Sequence, residues 1–444
     1  MTLYIKVGSI TNAQRSQRSL RQKGYKSIIK KLENPSPQDG CGYMVVVNTY
    51  TEEPISILIK EGIRSMKKMI YLDNSATTNP KPQAVKNAVI RAMNYYSFNS
   101  GRGGYKESVN TSDMIFSCRE KLSEMFGFPS ENIAFTPNCT TAINFAIKGI
   151  LKPGDHIIIS NLEHNAVARP VYALFKNGII DYDIADFSFD KEQTINNFKK
   201  LIKPNTKAIV CTHASNVFGC VFPIKEIGKL AHENGIIFIV DAAQSAGILD
   251  IDCKSDNIDI LCAPGHKGLY APMGIGFIAL RDNVDIGTII EGGTGSNSMK
   301  LAQPDNMPER LESGTLNNVG IIGLCAGIDF VVGKSVSSIY KHEKNLMKYI
   351  YGELAKNNNV TLYIPSFNDA FLAPILSFNY KDYPSEKTAS FLADKNIACR
   401  AGFHCSKLAH TAFGTDNRGT VRISPSVFTK YSECEKFINI LKKL

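Results

Sequence analysis

The chain has no apolar run approaching the roughly 20 residues that cross a bilayer. Its start, Met1-Thr2-Leu3-Tyr4-Ile5-Lys6, lacks the charged head and long apolar segment of a secretory signal. A cytoplasmic protein with no membrane partner is expected. The 11 cysteines include no Cys-x-x-Cys pair at zinc spacing, so no metal is expected and the thiols read as reduced. Most read as buried small hydrophobes, Cys211 and Cys262 among them. Neither an internal repeat nor a low-complexity tract is present, which sets aside solenoids and disordered tails.

Charge is present but uneven. Residues 1–68 hold twelve Lys/Arg against five Asp/Glu, most of the net +10 of the whole chain. No aromatic residues interleave with these bases in the manner of a nucleic-acid surface. Arg15, Arg18, Arg21 and Lys23 fit a solvated helix face, and no nucleic-acid partner is expected.

At 444 residues the chain has room for two or three domains. A first unit, 1–68, reads as strand (Leu3 to Val7), helix (Thr11 to Lys23), strand (Tyr25 to Ile29), a turn-rich loop from Glu33 to Gly40, strand (Tyr43 to Val47) and helix (Pro54 to Ile63). Thr11 or Asn12 is the expected helix cap, with Gly24 as the stop. A second start follows at Ile70. Strands are expected at Asn132–Phe135, His156–Ser160, Ala208–Cys211, Ile236–Val240, Ile258–Cys262 and Gly276–Leu280, alternating with helices. That order predicts a mainly parallel sheet covered on both faces. A large domain over 69–330 and a smaller α+β domain over 331–444 are expected, with 69–85 packing on the smaller one.

The chemistry gathers at strand ends. Lys267, in Gly265-His266-Lys267-Gly268, follows one strand, and Asp241, in Asp241-Ala242-Ala243-Gln244, ends another. A lysine able to form a Schiff base and a carboxylate able to hold a pyridinium nitrogen are the two anchors of a pyridoxal phosphate enzyme. His164 and Asn216 also follow strands, and ligands of open α/β sheets bind outside the carboxyl ends of strands. Cys139-Thr140-Thr141 opens a helix whose free N–H groups suit a phosphate; Gly292-Gly293-Thr294-Gly295-Ser296 is a second small-residue loop of that kind. In Arg400-Ala401-Gly402-Phe403-His404-Cys405, an arginine able to bind a carboxylate lies near a cysteine able to act as nucleophile.

These motifs, with Leu72-Asp73-Asn74-Ser75-Ala76-Thr77-Thr78, Gly101-Arg102-Gly103-Gly104, Glu163-His164-Asn165, Ser215-Asn216-Val217 and Glu312-Ser313-Gly314-Thr315, make residues 69–444 resemble the cysteine desulfurase/selenocysteine lyase branch of the class V aminotransferases. The resemblance implies pyridoxal phosphate fold type I, with a mainly parallel seven-stranded sheet. It implies that Lys267 carries the pyridoxal 5'-phosphate and removes the substrate Cα proton. Asp241 would pair with the ring nitrogen, Gln244 with the phenolate oxygen, and His164 would stack on the ring. Cys139, Thr140 and His266 would hold the phosphate, with Thr315 reaching across from a second subunit of a homodimer. Arg422, Asn216 and Arg400 would bind the carboxylate of L-cysteine or L-selenocysteine. Cys405 would take the sulfur or selenium, release alanine and pass the chalcogen to an acceptor protein. The chain departs from its relatives at Thr141 (often Glu), Pro264 (often Ser) and Phe403 (His in the second desulfurase type).

Residues 1–68 resemble the small selenium/sulfur-carrier family, through Val7-Gly8-Ser9 and Gly40-Cys41-Gly42. Cys41, between two glycines, would be an accessible chalcogen acceptor. The readings left open are another class V reaction, such as transamination, and a non-catalytic carrier scaffold. The sequence does not choose between cysteine and selenocysteine, which differ in one atom.

Overall fold

The structure, a computed structural model, describes residues 2–32, 41–51, 53–63, 69–100, 103–282, 284–296, 298–367 and 372–444. The expected loop 33–40, Gly101 and Arg102 lie outside the described residues. The chain divides between Met69 and Ile70 into two compact units.

The first unit runs β1 (Thr2–Gly8), α1 (Ile10–Gln22), β2 (Ser27–Lys31), β3 (Tyr43–Asn48) and α2 (Glu53–Lys60). The sheet is antiparallel in the order β1-β3-β2. Alternation along β1 and β3 turns Ile5, Val7, Val45 and Val47 to one face, where they meet Ala13, Leu20 and Leu58. The helix cap is Ser9, not Thr11 or Asn12. Ser9 has extended backbone, and its hydroxyl accepts from the Asn12 N–H at 3.1 Å. Asn12 already lies inside the helix and donates its side chain to the Val7 carbonyl. The next strand starts at Ser27 rather than Tyr25, because the Tyr25 N–H still bonds back to Leu20 of the helix end.

The second unit opens with β4 (Ile70–Tyr71), α3 (Gln83–Tyr95), α4 (Lys106–Phe126), β5 (Ile133–Thr136), α5 (Cys139–Ile150), β6 (His156–Ser160), α6 (Asn165–Lys176) and β7 (Asp181–Ala185). It continues with α7 (Lys191–Lys199), β8 (Thr206–Thr212), α8 (Ile224–Glu233), β9 (Ile237–Asp241), β10 (Ile260–Pro264), β11 (Gly276–Leu280), α9 (Asn318–Lys334) and α10 (Val336–Ala355). Last come β12 (Val360–Leu362), β13 (Leu376–Tyr380), α11 (Ser385–Asp394), β14 (Ile397–Ala398), β15 (Arg400–Gly402), α12 (Lys407–Ala412), β16 (Thr420–Ile423) and α13 (Tyr431–Leu441).

Seven strands form the main sheet in the order β5-β11-β10-β9-β8-β6-β7, with only β11 running against its neighbours. Buried apolar clusters cover both of its faces. The sequence reading omitted β7, whose Asp181-Tyr182-Asp183 start looks like a loop. It is an edge strand, with only Ala185 of its five residues buried, so no apolar run was required of it. A second sheet, β12-β13-β16-β15, carries the C-terminal chemistry. Of the segment 69–85 expected to pack on the smaller domain, residues 70–75 do so, with β4 paired to β14 and Asn74 and Ser75 bonded to Ser424. Thr77, Thr78 and Lys81 instead donate to the His266 and Lys267 carbonyls of the loop after β10.

The expected cut at 330/331 falls inside a helix. α9 continues to Lys334, burying Ile321, Leu324, Cys325, Ile328 and Val331, and breaks from α10 at Ser335, where φ is +62°. Residues 70–444 cluster as one compact unit. No single helix among the described residues is long and apolar enough to cross a membrane.

One buried ion pair locks α4 to the sheet. Arg119 stacks on the Phe135 ring and grips Glu312 with two bonds, 2.8 and 2.7 Å, while Glu312 also accepts from the Phe135 N–H at 2.6 Å. Removing one partner of such a pair leaves a buried charge uncompensated. Arg119→Leu is expected to lose about 3–5 kcal/mol, read as an earlier urea midpoint for the larger unit.

Candidate active site

Parallel neighbours β6, β8, β9 and β10 end on the same rim. Asp241, the last residue of β9, sits opposite Thr212 of β8 and Cys262 of β10. His164 and Asn216 follow the ends of β6 and β8, and Lys267 follows β10.

Asp241 is buried and accepts from the Ala243 N–H at 2.8 Å. Burial pushes its pKa up, opposed by that N–H and by the positive charge of Lys267. Burial likewise lowers the Lys267 amine, opposed by Asp241. No carboxylate among the described residues lies within ion-pair distance of Lys267 Nζ. A desolvated amine and a desolvated carboxylate therefore face one region without closing on each other. Gln244 is held there by a 3.1 Å bond from its amide to the Ser75 carbonyl.

His164 caps α6, its Nδ1 accepting from the Ala166 N–H at 3.0 Å. Burial, then Lys267 and three arginines, lowers its pKa to about 4, so the ring is a flat neutral base at neutral pH. His266 has a buried Nδ1 with no partner, and burial lowers it to about 4. At the start of α5, Asn138 caps the helix through the Thr141 N–H. Thr140 is exposed at that N-terminus. The Cys139 thiol turns inward, 3.6 Å from Asp241 Oδ1, so its backbone rather than its sulfur is free for a phosphate.

The loop carrying Cys405 is strained. His404 and Cys405 both have positive φ, +48° and +57°. Each such non-glycine residue costs of order 1–3 kcal/mol and persists only where the surroundings over-determine it. Here they do. Asn216 donates to the His404 carbonyl (2.8 Å), Asn165 N–H to the Cys405 carbonyl (2.8 Å), and Ser406 Oγ to the Glu163 carbonyl (2.8 Å). His404 Nε2 lies 3.0 Å from the Thr420 carbonyl. Cys405 is thereby fixed to the residues beside His164 and Asn216 and remains exposed. Phe403 is exposed beside it, and the imidazole that follows, His404, is buried and lowered to about 2.

Arg400 and Arg422 sit directly opposite on β15 and β16. Like charges so placed repel unless an anion joins them. Arg422 is buried, bonded to the Asn216 carbonyl (2.9 Å) and to Asp73 (2.9 Å), with Nε unpartnered. Arg400 is exposed.

Other expected residues fall elsewhere. Thr315 is exposed and shares a cavity with Thr136, Thr141 and Glu312, not the one that Lys267 lines. The Gly292–Ser296 loop borders its own cavity with Lys300 and Gln303. Cys41 belongs to the first unit and is exposed. Sequence reasoning gave no role to Asp73 or Glu163. The first neutralises Arg422, and the second ties β6 to β8 through Ser160 Oγ (2.5 Å) and the Thr212 N–H (2.7 Å). Both stand inside motifs quoted for other residues, which was the available signal.

The donor set fits pyridoxal 5'-phosphate. It offers an amine for the carbonyl, a carboxylate for the ring nitrogen, a neutral ring to stack, an unpartnered His266 nitrogen, and a helix N-terminus for the phosphate.

Buried titratable groups make the stability of the cofactor-free protein depend on pH. His164, His213, His266 and His404 fall from 6.5 to about 4, 3, 4 and 2 on burial. They contribute stability that is complete above pH 6.5 and is lost as pH falls toward those values. Glu163 and Glu343 rise from 4.5 to about 8. Their contribution is complete below 4.5 and is lost as pH rises toward 8. Between about pH 6.5 and 4.5 the four histidines outnumber the two carboxyls, so the urea midpoint should fall as pH falls through that range; a midpoint that rises there instead would contradict this.

Residues 70–437 match the aminotransferase class-V family. A probable cysteine desulfurase of Methanothermobacter thermautotrophicus is 28% identical over 398 residues, covering 87% of this chain and 97% of its own. One from Pyrococcus abyssi is 31% identical over 404 residues, covering 87% and 96%. The apo structure of a cysteine desulfurase from Thermococcus onnurineus NA1 aligns with a TM-score of 0.76 at 30% identity, over 89% of this chain and 98% of that one. The fold is pyridoxal phosphate fold type I, and the chain belongs to the class V aminotransferases, in their pyridoxal phosphate-dependent cysteine desulfurase branch.

Proposed function

We propose that this chain converts L-cysteine or L-selenocysteine to L-alanine and passes the sulfur or selenium to Cys405, then onward to an acceptor. The observation that carries the reading is the docking of the Cys405 loop onto Asn165 and Asn216. An exposed thiol is thereby held at the rim that carries Asp241 at the end of β9 and Lys267 after β10.

Bound pyridoxal phosphate supplies an electron sink that weakens the Cα–H and Cβ–S bonds of the substrate. The Arg400/Arg422 pair holds the substrate carboxylate, with Asp73 keeping Arg422 in place. Lys267 Nζ takes the Cα proton. The Cys405 thiolate attacks the substrate sulfur, the S–Cβ bond breaks, and its electron pair goes to Cβ, which is protonated. Alanine leaves and Cys405 carries the added sulfur. Selenium follows the same path.

A homodimer goes with this reading. Ile90, Met93, Tyr95, Tyr105, Val109 and Phe116, on α3, α4 and their connection, are exposed apolar side chains that association would cover. Thr315 would then serve a partner's phosphate. A cytoplasmic location suits 11 free thiols.

Cys41 is the first acceptor to consider. It is exposed, Gly42 after it has φ +73°, and its unit is tethered to the enzyme, which raises its effective concentration. Its thiolate would attack the outer sulfur on Cys405, releasing the Cys405 thiolate.

Alanine formation by the cofactor-loaded protein, with L-cysteine and L-selenocysteine in parallel, separates the substrates. Cys405→Ala is expected to lower turnover by at least about a hundredfold. Turnover retained without Cys405 would favour a transaminase. Cys41→Ser should leave the first turnover of alanine intact and slow delivery to an added acceptor thiol. Unchanged delivery would exclude the relay.

A further inference from the structure

Glu343, on α10, has no role in the chemistry described above. It is 2% exposed, and no cation pairs with it among the described residues. Its Oε1 receives a long bond, 3.4 Å, from the Tyr270 hydroxyl, which itself accepts from the Val427 N–H at 3.3 Å. Burial raises its pKa to about 8, so it carries a proton at neutral pH.

Glu343 borders a cavity of about 30 Å³ whose wall also includes Lys267, Gln244, Ser75, Thr78 and Ser424. That volume is far too small for a cofactor ring. It has room for about two waters, and the hydroxyls and amide on its wall supply the partners that buried water needs. Among the described residues, Lys267 and Glu343 are the only titratable side chains on that wall.

The proposed reaction needs such a group. Lys267 removes one proton from Cα. The alanine that leaves bears a hydrogen at Cα and a new one at Cβ. The single proton on Lys267 supplies one of these, so a second must reach the site.

We propose that Glu343 stores this second proton and delivers it through cavity water to the Lys267 amine. In the transfer, a water gives a proton to the neutral Nζ and takes one from the Glu343 carboxyl, leaving an ammonium and a carboxylate. Lys267 passes the proton to carbon. Over the turnover, the proton that the Cys405 thiol releases on ionising balances the one gained at Cβ, and Glu343 regains its proton from solvent. Glu343 acts through Lys267 and touches neither substrate nor cofactor, so it is a positioning residue. The inference rests on the proposed alanine-forming reaction.

The test compares the holoprotein of the wild type with Glu343→Gln, which keeps the shape without the acid, and Glu343→Asp, which keeps the acid. The visible absorbance of the resting holoprotein is titrated with pH, and alanine formation is followed in H2O and D2O. With Gln, the titration midpoint is expected to shift, kcat to fall about tenfold or more with KM unchanged, and the solvent isotope effect to grow. Asp should restore part of kcat. A Gln variant with the wild-type midpoint, kcat and isotope effect overturns the proposal. Equal losses in Gln and Asp with the wild-type isotope effect also overturn it, marking a packing role. If the wild type forms no alanine from either substrate, the functional reading fails instead. The absorbance titration then still decides whether Glu343 and Lys267 are coupled.

Discussion

The site depends on the register of β9 between β8 and β10. With Asp241 opposite Thr212 on one side and Cys262 on the other, a buried carboxylate ends the middle strand, and the loop after β10 brings Lys267 to the same rim. A slip of one residue would turn Asp241 to the other face of the sheet. Ladders to β8 and β10 on its two sides hold that register, and the apolar clusters on both faces keep water from the carboxylate so placed.

Strain and like-charge repulsion mark where the chemistry is exposed. Two consecutive left-handed residues at His404 and Cys405, and two arginines facing each other on β15 and β16, each cost free energy that a packing-only protein would shed. Bonds from Asn165, Asn216 and Ser406 offset the first, and Asp73 offsets part of the second. Both features converge on Asn216, whose side chain holds the cysteine loop and whose carbonyl receives Arg422.

Much of this was legible in the sequence, for physical reasons. Strands such as His156–Ser160 and Gly276–Leu280 are short apolar runs bounded by turn residues, so their limits could be read directly. β7 could not, because an edge strand has no need of an apolar run. The cap at Ser9 was missed because three neighbouring residues can all cap and only backbone direction decides among them. Lys267, Asp241, His164 and Asn216 were found by position after strands. Asp73 and Glu343 act through contacts with residues far along the chain, and Glu163 joins nearby Ser160 to distant Thr212; only the motifs around Asp73 and Glu163 drew attention to them. The inward turn of the Cys139 thiol toward Asp241 was invisible for the same reason.

The central claim is that Cys405 receives the chalcogen from the substrate. Cofactor-loaded protein given one equivalent of L-cysteine or L-selenocysteine, quenched and digested, is examined by mass spectrometry for each of the 11 cysteines. One added sulfur or selenium on the Cys405 peptide, removed by reductant and formed as fast as alanine, is expected. Alanine formed while the Cys405 peptide stays unmodified, or modified only after other thiols, would contradict it.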